Sequence, residues 1–142
     1  MSDAPLIQGI ILSHGEMAAG LASAVRLIAG TDTDALVPMS NEGVSPDVVL
    51  ERIREIAGDR PTILFTDLQS GSCAFAGRRL YHERSDFVVV SGVNLPMLLE
   101  FVLRRDMPLP KLVPMLLEKG RAAIESTPGE LGRDADRAVS SG

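Results

Sequence analysis

The sequence predicts an α/β protein, with a doubly wound, mostly parallel sheet flanked by helices. Three observations lead there. Short apolar runs of strand length alternate with stretches that carry apolar residues at helical spacing. The apolar runs lack strict polar alternation, as expected of strands covered on both faces. The chain is 142 residues long and 45% hydrophobic, enough for one domain with a sizeable core. Four such strands joined by right-handed crossovers are expected in the order 2-1-3-4.

The first run, LIQGIIL at 6–12, stops abruptly at Ser13-His14-Gly15. Met17, Leu21, Ala24, Val25 and Ile28 then recur at helical spacing, and Gly30 is a helix stop. Residues 34–39 form a weaker strand, followed by the turn Asn41-Glu42-Gly43. Ser45-Pro46-Asp47 starts the second helix with a hydroxyl cap, a proline at the first position and an acid in the first turn. Val49, Ile53, Ile56 and Ala57 share a face of that helix, which Gly58 closes.

TILFT at 62–66 is β-branched and aromatic, hence a buried strand that breaks at Asp67-Leu68-Gln69-Ser70-Gly71-Ser72. A helix follows over 73–83, and FVVVS at 87–91 is the fourth strand. Gly92-Val93-Asn94 turns the chain, and Pro96 opens a helix through Leu103. Met107-Pro108-Leu109-Pro110 is a proline break, after which Leu112, Leu116 and Leu117 begin a last helix that fades near Glu125. The domain is expected over 1–126. After Thr127-Pro128-Gly129 the chain is small and polar, so 127–142 reads as a disordered tail or the stump of a linker.

Composition excludes several functions. Fourteen Lys and Arg against nineteen Asp and Glu give a net charge of −5, with no basic excess for a nucleic acid. Aromatics are 4% and Trp is absent, so there is no base-stacking platform either. The single Cys73 makes no internal disulfide and points to a reducing, cytoplasmic setting. One cysteine and two histidines are too few for a structural zinc site, and no metal is expected. No apolar run approaches the roughly 20 residues that span a bilayer. Neither the P-loop nor the dinucleotide fingerprint is present, so no cofactor is expected.

In open α/β sheets, ligands bind outside the carboxyl ends of the strands, where strand order reverses. His14 follows the first strand and Asp67 the third, which the order 2-1-3-4 makes neighbours at that point. Each has an ordinary reading: His14 as a turn or capping residue, Asp67 as a helix cap or Asx turn. Together they make a site. A carboxylate on one ring nitrogen fixes the tautomer and leaves the other nitrogen as a nucleophile. Ser70, Gly71 and Ser72 open a helix whose free N–H groups attract anions. A nucleophilic histidine, a carboxylate and an anion cradle point to phosphoryl transfer through a phosphohistidine. His82, late in a helix, reads as solvent-exposed. Cys73 reads as a small buried residue of the first helical turn, and Arg78-Arg79 and Arg104-Arg105 as solvated helix surface or ends.

The runs Gly9-Ile10-Ile11-Leu12-Ser13-His14-Gly15, Phe65-Thr66-Asp67-Leu68-Gln69-Ser70-Gly71-Ser72 and Ser91-Gly92-Val93-Asn94-Leu95-Pro96-Met97-Leu98 occur in that order. Together they resemble the mannose-type enzyme IIA domains of the bacterial sugar phosphotransferase system, over roughly residues 6 to 125. The resemblance implies that His14 accepts a phosphoryl group from the phosphocarrier protein HPr. It implies delivery to a histidine of an enzyme IIB domain of a sugar permease, so the chain would be a transferase in the service of sugar transport. Asp67 matches the acid on the other ring nitrogen, and Ser72 a position lining the phosphoryl pocket. Family members are homodimers that exchange a C-terminal antiparallel strand, so four to five strands are expected, with 107–109 the only room for a fifth. The family's loop carries two glycines before the serine and often a proline after it, where this chain has Ser70-Gly71 and Cys73. Two alternatives share His14: a regulatory phosphohistidine module, and a phosphotransferase subunit feeding a dihydroxyacetone kinase.

Docking of a partner protein against His14 calls for a flat, partly apolar surface and a transient interface below roughly 1,200 Å². Met17, in the first turn of the helix after His14, is the candidate contact, whereas Leu21 one turn on is expected to pack inward.

Overall fold

The computed structural model describes residues 5–30, 33–69 and 71–130. The chain runs β1 (Gln8–Ser13), α1 (Met17–Ala29), a short 3-10 turn (Thr33–Ala35), β2 (Leu36–Ser40), α2 (Pro46–Ala57), β3 (Thr62–Thr66), α3 (Gly71–Glu83), β4 (Phe87–Ser91), α4 (Leu95–Leu103) and α5 (Leu109–Ala122). The four strands are all parallel, in the order β2-β1-β3-β4. Five helices cover the two faces. The expected doubly wound α/β architecture is the one observed.

Side chains alternate across the central strands and build two cores. Ile11, Ile63 and Phe65 point to one face, where Ala22 and Val25 of α1, Leu98 and Phe101 of α4, and Leu112 and Leu116 of α5 meet them. Ile10, Leu12 and Leu64 point to the other, against Val49, Leu50 and Ile53 of α2 and Ala76 and Leu80 of α3. The rings of Phe65 and Phe101 meet edge to face, centroids 5.2 Å apart. Gly9 lets α4 approach β1: a Cβ there would lie 2.6 Å from Leu36 and from the Phe101 ring.

Local signals set several boundaries where expected. The Ser45 hydroxyl accepts the Val48 N–H and caps α2 ahead of Pro46, and the Gly58 N–H returns to Arg54 O at its end. The strands 62–66 and 87–91 stand as read.

Four expectations shift. The buried face of α1 is Ala18, Ala22 and Val25, whereas Ile28, expected on that face, is exposed; Met17 is exposed, as a docking contact requires. Alanines outweigh larger side chains there because α1 lies closely against β2 and α4. The second strand starts at Leu36, since residues 33–35 make the 3-10 turn. The helix after β3 begins at Gly71 and not at 73. The last helix begins at Leu109, not 112. Pro108 is its N-cap and Pro110 lies in its first turn, where a missing N–H costs no hydrogen bond.

The place left for an exchanged strand, 107–109, is a turn closed by Met107 N–H on Arg104 O and the first residue of α5. Among the described residues the sheet has no fifth strand. Of the expected tail, 127–130 carry no helix or strand, and 131–142 lie outside the described residues.

Candidate functional site

All four strands point their carboxyl ends to the same edge of the sheet. The chain leaves β1 for α1 on one face and leaves β3 for α3 on the other, so a crevice opens between the two central strands. Leu12 stands beside Thr66 in the β1–β3 register, which brings the residues just beyond them side by side. Those residues are His14 and Asp67.

The pairing is direct. Asp67 Oδ2 lies 2.8 Å from His14 Nδ1 and accepts the His14 backbone N–H at 2.9 Å. Asp67 Oδ1 accepts the Leu68 N–H at 2.8 Å. The Asp67 side chain is 10% exposed and the His14 ring 53%. Burial of the Asp67 carboxyl works to raise its pKa. The N–H of His14, the His14 ring and the N–H of Leu68 outweigh it and hold the carboxyl below its ordinary value. A carboxylate is an acceptor only, so Nδ1 carries the proton and Nε2 is the ring nitrogen with a lone pair. Gly15 takes φ +57°, the left-handed turn that carries the chain from His14 towards α1.

Strand-end hydroxyls lie under this pair. Ser13 is fully buried, and its Oγ accepts the Ala18 N–H at 2.7 Å. Thr66 donates its hydroxyl to Ser91 Oγ at 3.0 Å, and its carbonyl accepts the N–H groups of Gly92 and Val93. Asn94, read from sequence as part of a turn, accepts the Met97 N–H as N-cap of α4 and donates to Gly120 O of α5. The signal for that cap was present, an Asn two residues before a Pro at a helix start.

The other site expectations fall out unevenly. Gly71 takes φ +71° as the first residue of α3, at the same end of the sheet as Asp67. Ser70 and the side chain of Ser72 lie outside what the structure describes. Met17 is 43% exposed at the start of α1, and Leu68 and Phe75 are also exposed. Leu21 is partly buried against the core, as expected. His82, Arg78 and Arg79 are exposed. Arg105 is no mere solvated end: its Nε donates to Ile7 O at 2.9 Å and ties the end of α4 to the entry of β1.

Fold and site define a doubly wound α/β protein with an imidazole–carboxylate pair at the switch point. The chain belongs to the family described as the fructose IIA component of the phosphotransferase system, the mannose-type enzyme IIA family, whose model matches residues 8–117. Among solved structures it is similar to an enzyme IIA phosphotransferase component from Streptococcus agalactiae, at 30% identity and a TM-score of 0.79. That match covers 86% of this chain and 98% of the other. It is similar to a mannose/sorbose-specific IIA subunit from Enterococcus faecalis, at 25% identity and a TM-score of 0.74, covering 86% and 95%. A sigma-54 interaction domain protein from Enterococcus faecalis shares the fold alone, at 17% identity, a TM-score of 0.70 and coverage of 85% and 94%. No curated protein gives a significant sequence match. The chain is thus a phosphotransferase-system component of the IIA type. Among the described residues no helix is long and apolar enough to cross a membrane.

Proposed function

We propose that this protein carries a phosphoryl group on His14, taking it from phospho-HPr and passing it to a histidine of an enzyme IIB domain. The observation that carries this reading is the 2.8 Å contact between His14 Nδ1 and Asp67 Oδ2 beneath a half-exposed ring. In the transfer, the Nε2 lone pair attacks the phosphorus of the incoming phosphohistidine. The donor's P–N bond breaks, its electron pair returns to the donor imidazole, and a P–N bond forms on His14. The His14 ring becomes cationic while Nδ1 keeps its proton, and the adjacent Asp67 carboxylate stabilises that charge. Passing the group on reverses these steps with the IIB imidazole as the attacking nitrogen.

Backbone N–H groups at the start of α3, at Gly71 and Ser72, supply the anion's surroundings together with Ser70. Met17 belongs to the docking surface for the two protein partners, where a flexible thioether suits two faces met in succession. The carrier works in the cytoplasm as a homodimer. β4 lies at the sheet edge, and the apolar groove of about 700 Å³ beside it, lined by Ile7, Val88, Met107, Leu109 and Val113, suits a second copy.

Incubation with phosphoenolpyruvate, enzyme I and HPr tests the reading. One acid-labile, base-stable phosphate per chain is expected, lost in His14→Ala and kept in His82→Ala. Label that survives His14→Ala refutes it.

A further inference from the structure

We infer that Ser13 is a positioning residue for His14, a role that rests on the carrier reading for its consequence but on geometry for its existence. Helix α1 starts three residues after His14, and its N-cap residue, Glu16, provides no side-chain cap. Ser13, the last residue of β1, provides it: its Oγ accepts the buried Ala18 N–H at 2.7 Å. The hydroxyl proton is directed at His14 O, 3.4 Å away, where the Met17 N–H also arrives at 3.4 Å. The Ser13 carbonyl accepts the Asn41 N–H at 3.1 Å, which fastens the same residue to the end of β2.

His14 is therefore held from two sides. Asp67 grips its N–H and its ring, and Ser13 fastens the strand before it to the helix after it. An ordinary helix cap sits at the N-cap and steadies only the helix. This cap comes from the strand residue adjoining the reactive group, and only His14, Gly15 and Glu16 lie between the bonded helix and the strand. Without the hydroxyl, the Ala18 N–H is buried and unpaired, and this short link must move to reach another partner. The Nδ1–Oδ2 contact is what that movement breaks, and with it the single ring tautomer. A misplacement of about 1 Å is enough to slow a transfer on the order of a hundredfold.

The test is nitrogen NMR of the full chain labelled in its two histidines. Wild type is expected to show His14 in the Nδ1–H tautomer. Ser13→Ala is expected to show mixed tautomers at His14, with the His82 signals unchanged, and Ser13→Thr to restore the wild-type signals. In parallel, transfer from phospho-HPr should fall about ten- to a hundredfold in Ser13→Ala and recover in Ser13→Thr. A folded Ser13→Ala with wild-type His14 signals makes Ser13 a helix cap only and overturns the inference. If Ser13→Ala does not fold, Ser13→Cys, a weaker hydrogen-bonding group of similar size, decides in the same way. Failure of wild type to accept phosphate refutes the carrier reading alone, because the tautomer measurement needs no phosphate.

Discussion

One carboxylate oxygen, Asp67 Oδ2, holds both the backbone nitrogen and the ring Nδ1 of His14, at 2.9 and 2.8 Å. It clamps main chain and side chain of a residue 53 positions away in sequence. The two contacts constrain different freedoms. The first fixes where the turn after β1 leaves the sheet, and the second fixes the rotation of the imidazole. The other oxygen, on the Leu68 N–H, keeps the carboxyl itself from turning.

Replacing Asp67 by Asn should leave the fold intact and slow phosphoryl transfer on the order of a hundredfold. An amide carries no charge to balance the cationic ring. It also offers only one acceptor oxygen where the carboxylate serves three donors. Rapid-quench measurement of transfer from phospho-HPr checks this; a wild-type rate in the variant reduces Asp67 to a cap.

The pH dependence of stability follows from the same contacts. The folded-state pKa of Asp67 lies below its ordinary value of 3.8, so the ionised form is favoured by folding. The stabilisation is therefore complete above 3.8 and is lost as pH falls through the folded value. Urea midpoints of wild type and Asp67→Asn should differ by a constant amount from neutral pH down to about 5 and converge below 3.8. A difference that grows as the pH falls contradicts this sign.

Met17→Glu tests the docking surface. The side chain is 43% exposed, so the substitution should change unfolding free energy by no more than about 0.5 kcal/mol. Titration calorimetry with HPr should show weaker binding. Unfolding of the variant assigns Met17 to the core, and unchanged binding moves the docking face elsewhere.

Gly9→Ala probes how closely α4 is seated on the sheet. The added methyl meets Leu36 and the Phe101 ring at 2.6 Å, and the ring is itself packed edge-on against Phe65. A loss of about 2 kcal/mol in urea unfolding is expected, because neither neighbour has room to yield. Wild-type stability would mean that α4 shifts freely on β1.

Much of this was legible in the sequence. The pattern of apolar runs and helical stretches yields a parallel, doubly wound sheet, and the order 2-1-3-4 expected of it brings His14 and Asp67 to one crevice. Ser45, Pro46 and Gly58 bound α2 through contacts within a few residues, so local chemistry was sufficient there. The Ser13 cap and the bond from Asn94 to Gly120 were not legible. A buried serine at a strand end becomes a helix cap only when the turn after it folds back, and Asn94 reaches Gly120 only once α4 and α5 pack together.

What the sequence determined by itself is therefore the class of fold, the strands 62–66 and 87–91 and the candidate reactive pair. Each of these depends on periodicity and chain order, which are short-range or topological. Tertiary structure alone decided which face of α1 is buried, where Ala18 and Ala22 take the place expected for Ile28 because β2 and α4 press close. It alone let the chain run as helix through Pro114, with Leu112 and Leu116 buried in the core. It also set the 2.8 Å between His14 and Asp67. Packing and hydrogen-bond distance depend on neighbours dozens of residues away, and no local pattern encodes their approach to a fraction of an ångström.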